Sequence, residues 1–131
     1  MSPEFEVWFE ACEPEVVVIT DLLARELSDN PVELTRQLVQ VEAWNARATS
    51  MLAWANSFLD GAERVNLLTR SKEITDLDRE KFLADAVKDE RRVRDILEGI
   101  CNSIKNRLIL GMALMKAQRG EHHGSGETVP S

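Results

Sequence analysis

The chain has 131 residues and a formal net charge of −7, with 44% hydrophobic, 30% charged and 5% aromatic residues and no tyrosine. This length suits one domain with its own core, and the scarcity of aromatic residues favours helices over a β-sandwich. No stretch approaches the roughly eighteen consecutive apolar residues of a membrane span, and the acidic N-terminus is unlike a secretory signal, so we expect a cytoplasmic protein.

The N-terminal residues predict two short helices. Ser2 suits an N-cap and Pro3 the first helical position, so a short apolar helix begins there. Pro14 interrupts this helix, because its ring cannot continue the interior hydrogen bonding. Residues 15–28 open with a β-branched run, but no partner strand is visible elsewhere, so a second helix is predicted for them.

A long helix is predicted from about residue 31 to about residue 68. Asn30 suits its cap, Pro31 its first position, and Glu33 the acidic position of a capping box. Apolar and small residues then recur at alternating steps of four and three, as in a coiled-coil seam. The seam residues are Leu34, Leu38, Val41, Asn45, Ala48, Leu52, Ala55, Leu59 and Ala62.

A second long helix is predicted from Thr75 to about residue 118, after a polar connector. Thr75 begins a possible capping box, and Gly120 suits the end of the helix. The tail, residues 119–131, is predicted to be disordered, and residues 1–118 are predicted to form a single helical domain. The second seam consists of Phe82, Ala86, Val93, Leu97, Ile100, Ile104, Leu108, Gly111 and Met115.

Two long helices joined by a short connector must lie antiparallel, so the predicted fold is all-α, a coiled-coil-like helical hairpin with a short N-terminal helical segment. The N-terminal Phe5, Trp8 and Phe9 are expected to cover part of the second seam. That seam is wider than one partner helix covers, so we also expect a homo-oligomer.

The sequence contains none of the common catalytic motifs. There is no G-x-S-x-G, phosphate-binding loop or dinucleotide-binding glycine pattern. His122 and His123 lie in the tail and do not supply the three or four ligands of a metal site. Asp85, Asp89 and Glu90 are interpreted as part of a solvated helix face. The prediction is therefore a protein that is not an enzyme and has no cofactor and no metal.

The charge is distributed unevenly along the chain. Residues 1–60 hold eleven acidic residues against three arginines, whereas residues 61–131 hold twelve acidic and thirteen basic residues. Residues 99–120 contain four cations and no acidic residue. Lys116 and Arg119 suit the negative end of the helix dipole, but Lys105 and Arg107 do not have that explanation. These two side chains could face an acidic partner, the acidic half of this protein or a phosphate backbone.

Other basic and aromatic residues offer weaker signals. Arg91 and Arg92 belong to the run KDERRVR, whose charges are expected mainly to offset one another on a solvated face. The functional alternative is contact with a partner or with nucleic acid. Trp54 lies off the main seam and is the tryptophan best placed for an exposed contact.

The stretch DREKFLADAVKDERRVRDILEGICNSIKNRLILGMALMKAQRG resembles the final helix of the phage recombination mediators of the UvsY type. The resemblance covers about residues 38–120 and includes a short basic element, NSIKNRL. It implies an oligomeric helical phage protein that binds single-stranded DNA and helps load a recombinase, in the host-cell cytoplasm. Carried over from the resemblance, the DNA-binding residues are Lys105, Arg107, Arg64, Arg70 and Lys72. The family's segment at Arg64–Lys72 is more basic than it is here.

Two alternative functions are also compatible with the sequence. The net charge of −7 suits an acidic protein-binding adaptor, inhibitor or assembly factor of phage type, which acts on a host or phage complex. A continuous exposed acidic face on residues 1–42 would favour that function. A third alternative is a small anionic ligand held at a subunit interface by Arg91, Arg92, Lys105 or Arg107.

Overall fold

The computed structural model describes residues 2–70, 81 and 84–127, with the backbone alone for 68–70 and 121–127. Three helices dominate these residues: α1 is Pro3–Ala24, α2 is Pro31–Arg70 and α3 is Lys88–Glu127. Residues 84–86 are also helical and precede α3. The predicted all-α class is confirmed, since every regular element in the described residues is helical.

The first helix begins as predicted but does not break at Pro14. The Ser2 Oγ accepts a hydrogen bond from the Phe5 N–H at 3.2 Å, which caps the helix. Helix α1 continues through Pro14 to Ala24, so the predicted interruption and the separate helix over residues 15–28 are wrong. Pro14 and Glu10 lie on the exposed side, where water can replace the donor that proline lacks.

Helix α2 matches the prediction closely. The Asn30 side chain accepts hydrogen bonds from the N–H groups of Val32 and Glu33, at 2.9 and 3.2 Å, and so caps it. Glu33 does not complete a capping box; it pairs with Arg36 at 3.1 Å. With 40 residues, α2 is about 60 Å long.

The second long helix is confirmed, but its ends differ from the prediction. A turn at Val87 separates residues 84–86 from α3, and the predicted cap at Thr75 lies outside the described residues. At the other end, α3 continues through Gly120 to Glu127, so the predicted end near residue 118 is wrong. The predicted tail, residues 119–131, therefore begins inside the helix, and residues 128–131 lie outside the described ones.

Helices α2 and α3 lie antiparallel and bury their two seams against each other. Leu38 near the start of α2 lies against Gly111 near the end of α3, and Glu63 near the end of α2 pairs with Arg91 near the start of α3. The buried seam residues include Leu34, Leu38, Val41, Ala48, Ala55, Leu59, Val93, Leu97, Ile100 and Ile104. The predicted pairing of the two long helices is therefore confirmed.

Helix α1 packs against both long helices and completes an up-down-up bundle. Phe5 is fully buried, and its ring meets the ring of Phe58 on α2 edge-on, with centroids 5.6 Å apart. Further along, Glu15 of α1 pairs with Arg47 of α2, so the two helices run antiparallel. Phe5 belongs to the core cluster that also contains seam residues of both long helices, Trp8 and Phe9 pack against that cluster, and the rings of Phe5 and Trp8 lie against Phe58 of α2.

Candidate interaction surfaces

Arg107, a predicted DNA-binding residue, serves the fold. Its Nη2 donates a hydrogen bond of 2.6 Å to the backbone carbonyl of Leu23. Leu23 lies in the last turn of α1, where carbonyl groups lack partners within the helix. The Gln118 Nε2 makes a similar bond of 2.9 Å to the carbonyl of Asp29. Arg107 therefore fastens the end of α1 to α3, which the sequence pattern does not reveal.

Lys105 is exposed and has no ion pair among the described residues. It lies on a face of α3 with Ile109, Met112, Lys116 and Arg119, at steps of four, three, four and three. Ile109 and Met112 are each 67% exposed, and the two later cations are exposed as well. These five residues, hereafter the basic face, combine uncompensated positive charge with exposed apolar surface.

The basic run at the start of α3 is neutralised in part, because two of its four cations, Arg91 and Arg94, are in ion pairs. Arg91 pairs with Glu63 at 3.4 Å, while Arg94 lies 2.8 Å from Asp95 and 3.8 Å from Glu98. Arg94 is thus offset by acidic residues of its own helix, as the interpretation of this run expects, whereas the partner of Arg91 lies on α2. Surface pairs of this kind contribute little to stability, typically below about 1 kcal/mol each.

The predicted binding residues do not form a single surface. Arg92 is exposed and borders an open groove with Lys88 and Asp95. Arg64 is also exposed, on α2. Lys72 lies outside the described residues, as does the side chain of Arg70. Of the seven predicted residues, Arg107 is engaged inside the bundle and Arg91 is paired, while Lys105, Arg64 and Arg92 are exposed at different places.

The opposite charge is concentrated on α1, whose sequence contains no basic residue. Its outer side carries Glu6, Glu10, Glu13, Val17 and Asp21, all exposed, at steps of four, three, four and four. These five residues are hereafter the acidic face. A continuous exposed acidic face on residues 1–42 would favour the adaptor alternative, and the acidic face covers residues 6–21 of that range, with Val17 among its acidic residues.

One acidic residue of α1 is kept out of this face by an internal partner. Arg47 holds the Glu15 carboxylate with two hydrogen bonds, of 2.6 and 2.9 Å. This bonding lowers the pKa of Glu15 below its ordinary value and raises that of Arg47. Arg47 also lies 3.9 Å from the Cys12 Sγ. The pair joins the middle of α1 to α2.

The two cysteines, Cys12 and Cys101, are free. Burial raises the pKa of the Cys12 thiol, although the neighbouring Arg47 acts in the opposite direction. Burial also raises the pKa of the Cys101 thiol, and Lys105 counteracts it in part. Neither environment favours the reactive thiolate, so both residues act as small core side chains.

Glu90 is a residue that the sequence reasoning missed. It is only 3% exposed, so its assignment to a solvated face is wrong. Its Oε2 has no hydrogen-bond partner in the part of the chain that is described. The signal was present in the spacing, because Glu90 lies four residues after Ala86 and three before Val93, at a seam position.

Trp54 is 53% exposed, as predicted, and its ring lies 6.1 Å from that of Phe58.

No group of three or more His, Cys, Asp or Glu side chains within residues 2–70, 81 and 84–127 is arranged to hold a metal ion. The same residues include no helix with the length and hydropathy of a membrane span.

Comparison of the chain with protein-family models, curated proteins and solved structures finds no match.

Proposed function

We propose that this protein is a non-enzymatic helical interaction module that binds a basic protein surface through the acidic face of α1. The observation that carries the proposal is a 22-residue helix without a basic residue, which presents a continuous exposed row of acidic and apolar side chains. Val7, Val17 and Val18, which are 68, 54 and 49% exposed, add apolar area beside the charges. This combination suits an amphipathic basic helix as the partner.

The electrostatic part of this interaction is expected to set association rate and specificity more than affinity. Exposed charges attract a basic partner over about 10 Å at 0.1 M salt, and the attraction weakens as salt increases. Apolar contacts at the valines are less sensitive to salt and would keep the complex together. Binding should therefore weaken with salt without vanishing.

A synthetic amphipathic helix of Lys and Leu provides a direct probe for the acidic face, and a Glu and Leu peptide of equal length is its control. Removal of three charges in the variant Glu6→Gln, Glu10→Gln, Glu13→Gln should weaken binding of the basic peptide at least tenfold, measured by fluorescence anisotropy. The control removes two exposed acidic side chains from α2 through Glu42→Gln and Asp60→Asn, so the losses of binding are compared per charge removed. Equal losses in the two variants would show that overall charge, rather than the acidic face, binds the peptide.

A second function, that of a phage-type recombination mediator, is supported by the basic face of α3. Lys105, Lys116 and Arg119 are exposed, and residues 99–120 contain no acidic side chain. The helical rise spreads these cations over about 20 Å, which is enough to follow several phosphates of a single strand. In this proposal the protein binds single-stranded DNA, and the recombinase remains the partner that the sequence resemblance implies.

Binding of an oligonucleotide at increasing salt tests this second function. The variant Lys105→Gln, Lys116→Gln, Arg119→Gln should abolish binding, whereas Arg25→Gln, an exposed arginine in the loop after α1, should change it little. Absence of binding by the unmodified protein at about 50 mM salt, where phosphate contacts are strongest, contradicts the proposal.

Homo-oligomer formation would occupy the same two faces and would therefore compete with the proposed basic partner and with DNA. The acidic face and the basic face have opposite charge and similar spacing, so each face of one copy complements the other face of a second copy. A head-to-tail contact of this kind closes into a ring or extends into a filament. Light scattering at low and high salt, repeated with single-stranded DNA, measures whether the mass exceeds that of one chain and whether the charged faces sustain the assembly.

A further inference from the structure

A cavity of about 480 Å³ lies where the start of α1, the later part of α2 and the start of α3 meet. Glu4 of α1, Ser57 and Phe58 of α2, and Glu90 of α3 are among the residues that line it. Its size is within the range of small-molecule sites in proteins, roughly 300–1,000 Å³. Neither of the two proposed functions uses this cavity.

The Glu90 carboxyl group is the unusual feature of the cavity. The residue is 97% buried, since only 3% of its surface is exposed, and its Oε2 is closed off from water without a hydrogen-bond partner in the described residues. An unpartnered buried carboxylate is costly, and native structures rarely keep one without a reason. Glu90 is one of the residues that line the cavity, so a cation bound there would lie beside a side chain whose carboxyl group lacks a partner.

The chemistry of the wall limits what this partner is. Two carboxyl groups, from Glu4 and Glu90, exclude an anion, and the described residues offer too few grouped ligands for a metal ion. Phe58 and Ala62 supply an aromatic ring and an apolar surface on the α2 side. An aromatic ring attracts cations through its face, and apolar surface favours a carbon chain beside the charge.

We propose that this cavity binds a primary ammonium group carried on an alkyl chain. The ammonium has three donors, and the residues around the cavity include three with acceptor groups, the carboxyl groups of Glu4 on α1 and Glu90 on α3 and the hydroxyl group of Ser57 on α2. Charge-assisted bonds of this type are the strong ones in proteins. Such a group occurs both in a small alkylamine and in the lysine side chain of another protein, and the proposal covers the chemistry common to both.

Titration of isotope-labelled protein with n-butylamine at pH 7, followed by two-dimensional NMR, tests the proposal. Saturable shifts are expected at the backbone amides of residues 57–66 and 86–90, and the neutral isostere n-butanol should produce weaker shifts there. Shifts spread evenly over the exposed acidic residues of α1, or no saturable shift up to about 10 mM amine, would overturn it. A capped lysine, N-acetyl-lysine methylamide, identifies the source: affinity equal to that of butylamine supports a lysine side chain, and weaker affinity supports a small amine.

Two variants test separately whether binding needs the charge of the Glu90 carboxyl group and whether it needs the free volume of the cavity. Glu90→Gln keeps the shape of the side chain but removes the charge, and should weaken butylamine binding about tenfold or more. Gly61 also lines the cavity, and a Cβ built there meets nothing within 4 Å, so the backbone has room for the first carbon of a larger side chain in Gly61→Leu. It too should reduce binding while the helix is retained. Unchanged affinity in Glu90→Gln refutes the site even if that variant becomes more stable.

Discussion

The contact between Gly111 and Leu38 gives the sharpest test of how α2 and α3 pack. A Cβ built on Gly111 would lie 2.9 Å from the Leu38 Cδ1 and 3.0 Å from its Cγ, and nearer still to Cδ2. Leu38 is itself 8% exposed and has little room to move. Gly99 lies in the same helix, but a Cβ there would meet nothing within 4 Å. Gly99→Ala therefore serves as the control for Gly111→Ala, since both add the same methyl group but only the second adds it next to Leu38.

The two substitutions should change the free energy of unfolding differently: Gly99→Ala should raise it, whereas Gly111→Ala should not. In an exposed helix interior alanine is favoured over glycine by about 1 kcal/mol, so Gly99→Ala should stabilise the protein by that amount. At Gly111 the same gain is opposed by overpacking, which costs about 1–3 kcal/mol when a neighbour must leave its rotamer. Gly111→Ala should therefore be neutral or destabilising by up to about 2 kcal/mol. The two variants should differ by about 1–3 kcal/mol.

Thermal and urea denaturation followed by circular dichroism measure this difference. For a domain of this size 1 kcal/mol corresponds to roughly 4 °C in Tm, and protein concentration must be held constant in case the chain associates. In the Leu38→Ala background the clash is gone, so Gly111→Ala should become stabilising, a coupling that a double-mutant cycle isolates. Equal stabilisation by Gly99→Ala and Gly111→Ala in the unmodified protein would refute the close approach of the two helices.

Three further predictions concern individual contacts. Glu15→Gln should cost up to about 1 kcal/mol at pH 7; because the Arg47 hydrogen bond lowers the pKa of Glu15, this contribution is present above the unfolded pKa of about 4.3 and is lost as pH falls through the lower folded value. Urea unfolding of both proteins at pH 7 and about pH 3 checks it, and an unchanged difference at the lower pH contradicts it. Arg107→Ala should cost about 1–2 kcal/mol by leaving the Leu23 carbonyl without its donor, whereas an unaltered urea midpoint would mean that water replaces the guanidinium. Phe58→Ala should cost about 2–4 kcal/mol because its ring joins α1 to α2, and near-ultraviolet circular dichroism should report the loss of ordered aromatic packing.

Local signals account for most of the secondary structure. Side-chain caps at Ser2 and Asn30 and the alternating steps of four and three determine where α1 and α2 begin and which side of α2 is buried. These signals act within a few residues, so they are readable from the chain alone. The same periodicity identified Gly111 as a seam residue, although it did not show how closely Leu38 approaches it.

Tertiary structure decided the environment of several individual residues, among them a proline and two charged side chains. Pro14 breaks an isolated helix, but here packing of α1 on both sides of it keeps the helix continuous, since Cys12 and Ile19 are both buried. The guanidinium group of Arg107 is suited to binding phosphate, yet its partner is the carbonyl of Leu23 at the end of α1. Glu90 looked solvated beside other charges, yet its place on the seam buries it.

The sequence by itself therefore determined the all-α class, the starts of α1 and α2, the two seams and the division of charge, because each depends on composition or on short-range signals. The antiparallel pairing followed from helix length and a short connector. Which charges remain free to bind a partner was decided only by the three-dimensional arrangement, since a charge is engaged or exposed according to residues far away in the chain. Arg107 meets Leu23 and Arg47 meets Glu15 only after the bundle forms, and the acidic and basic faces are what that packing leaves uncovered.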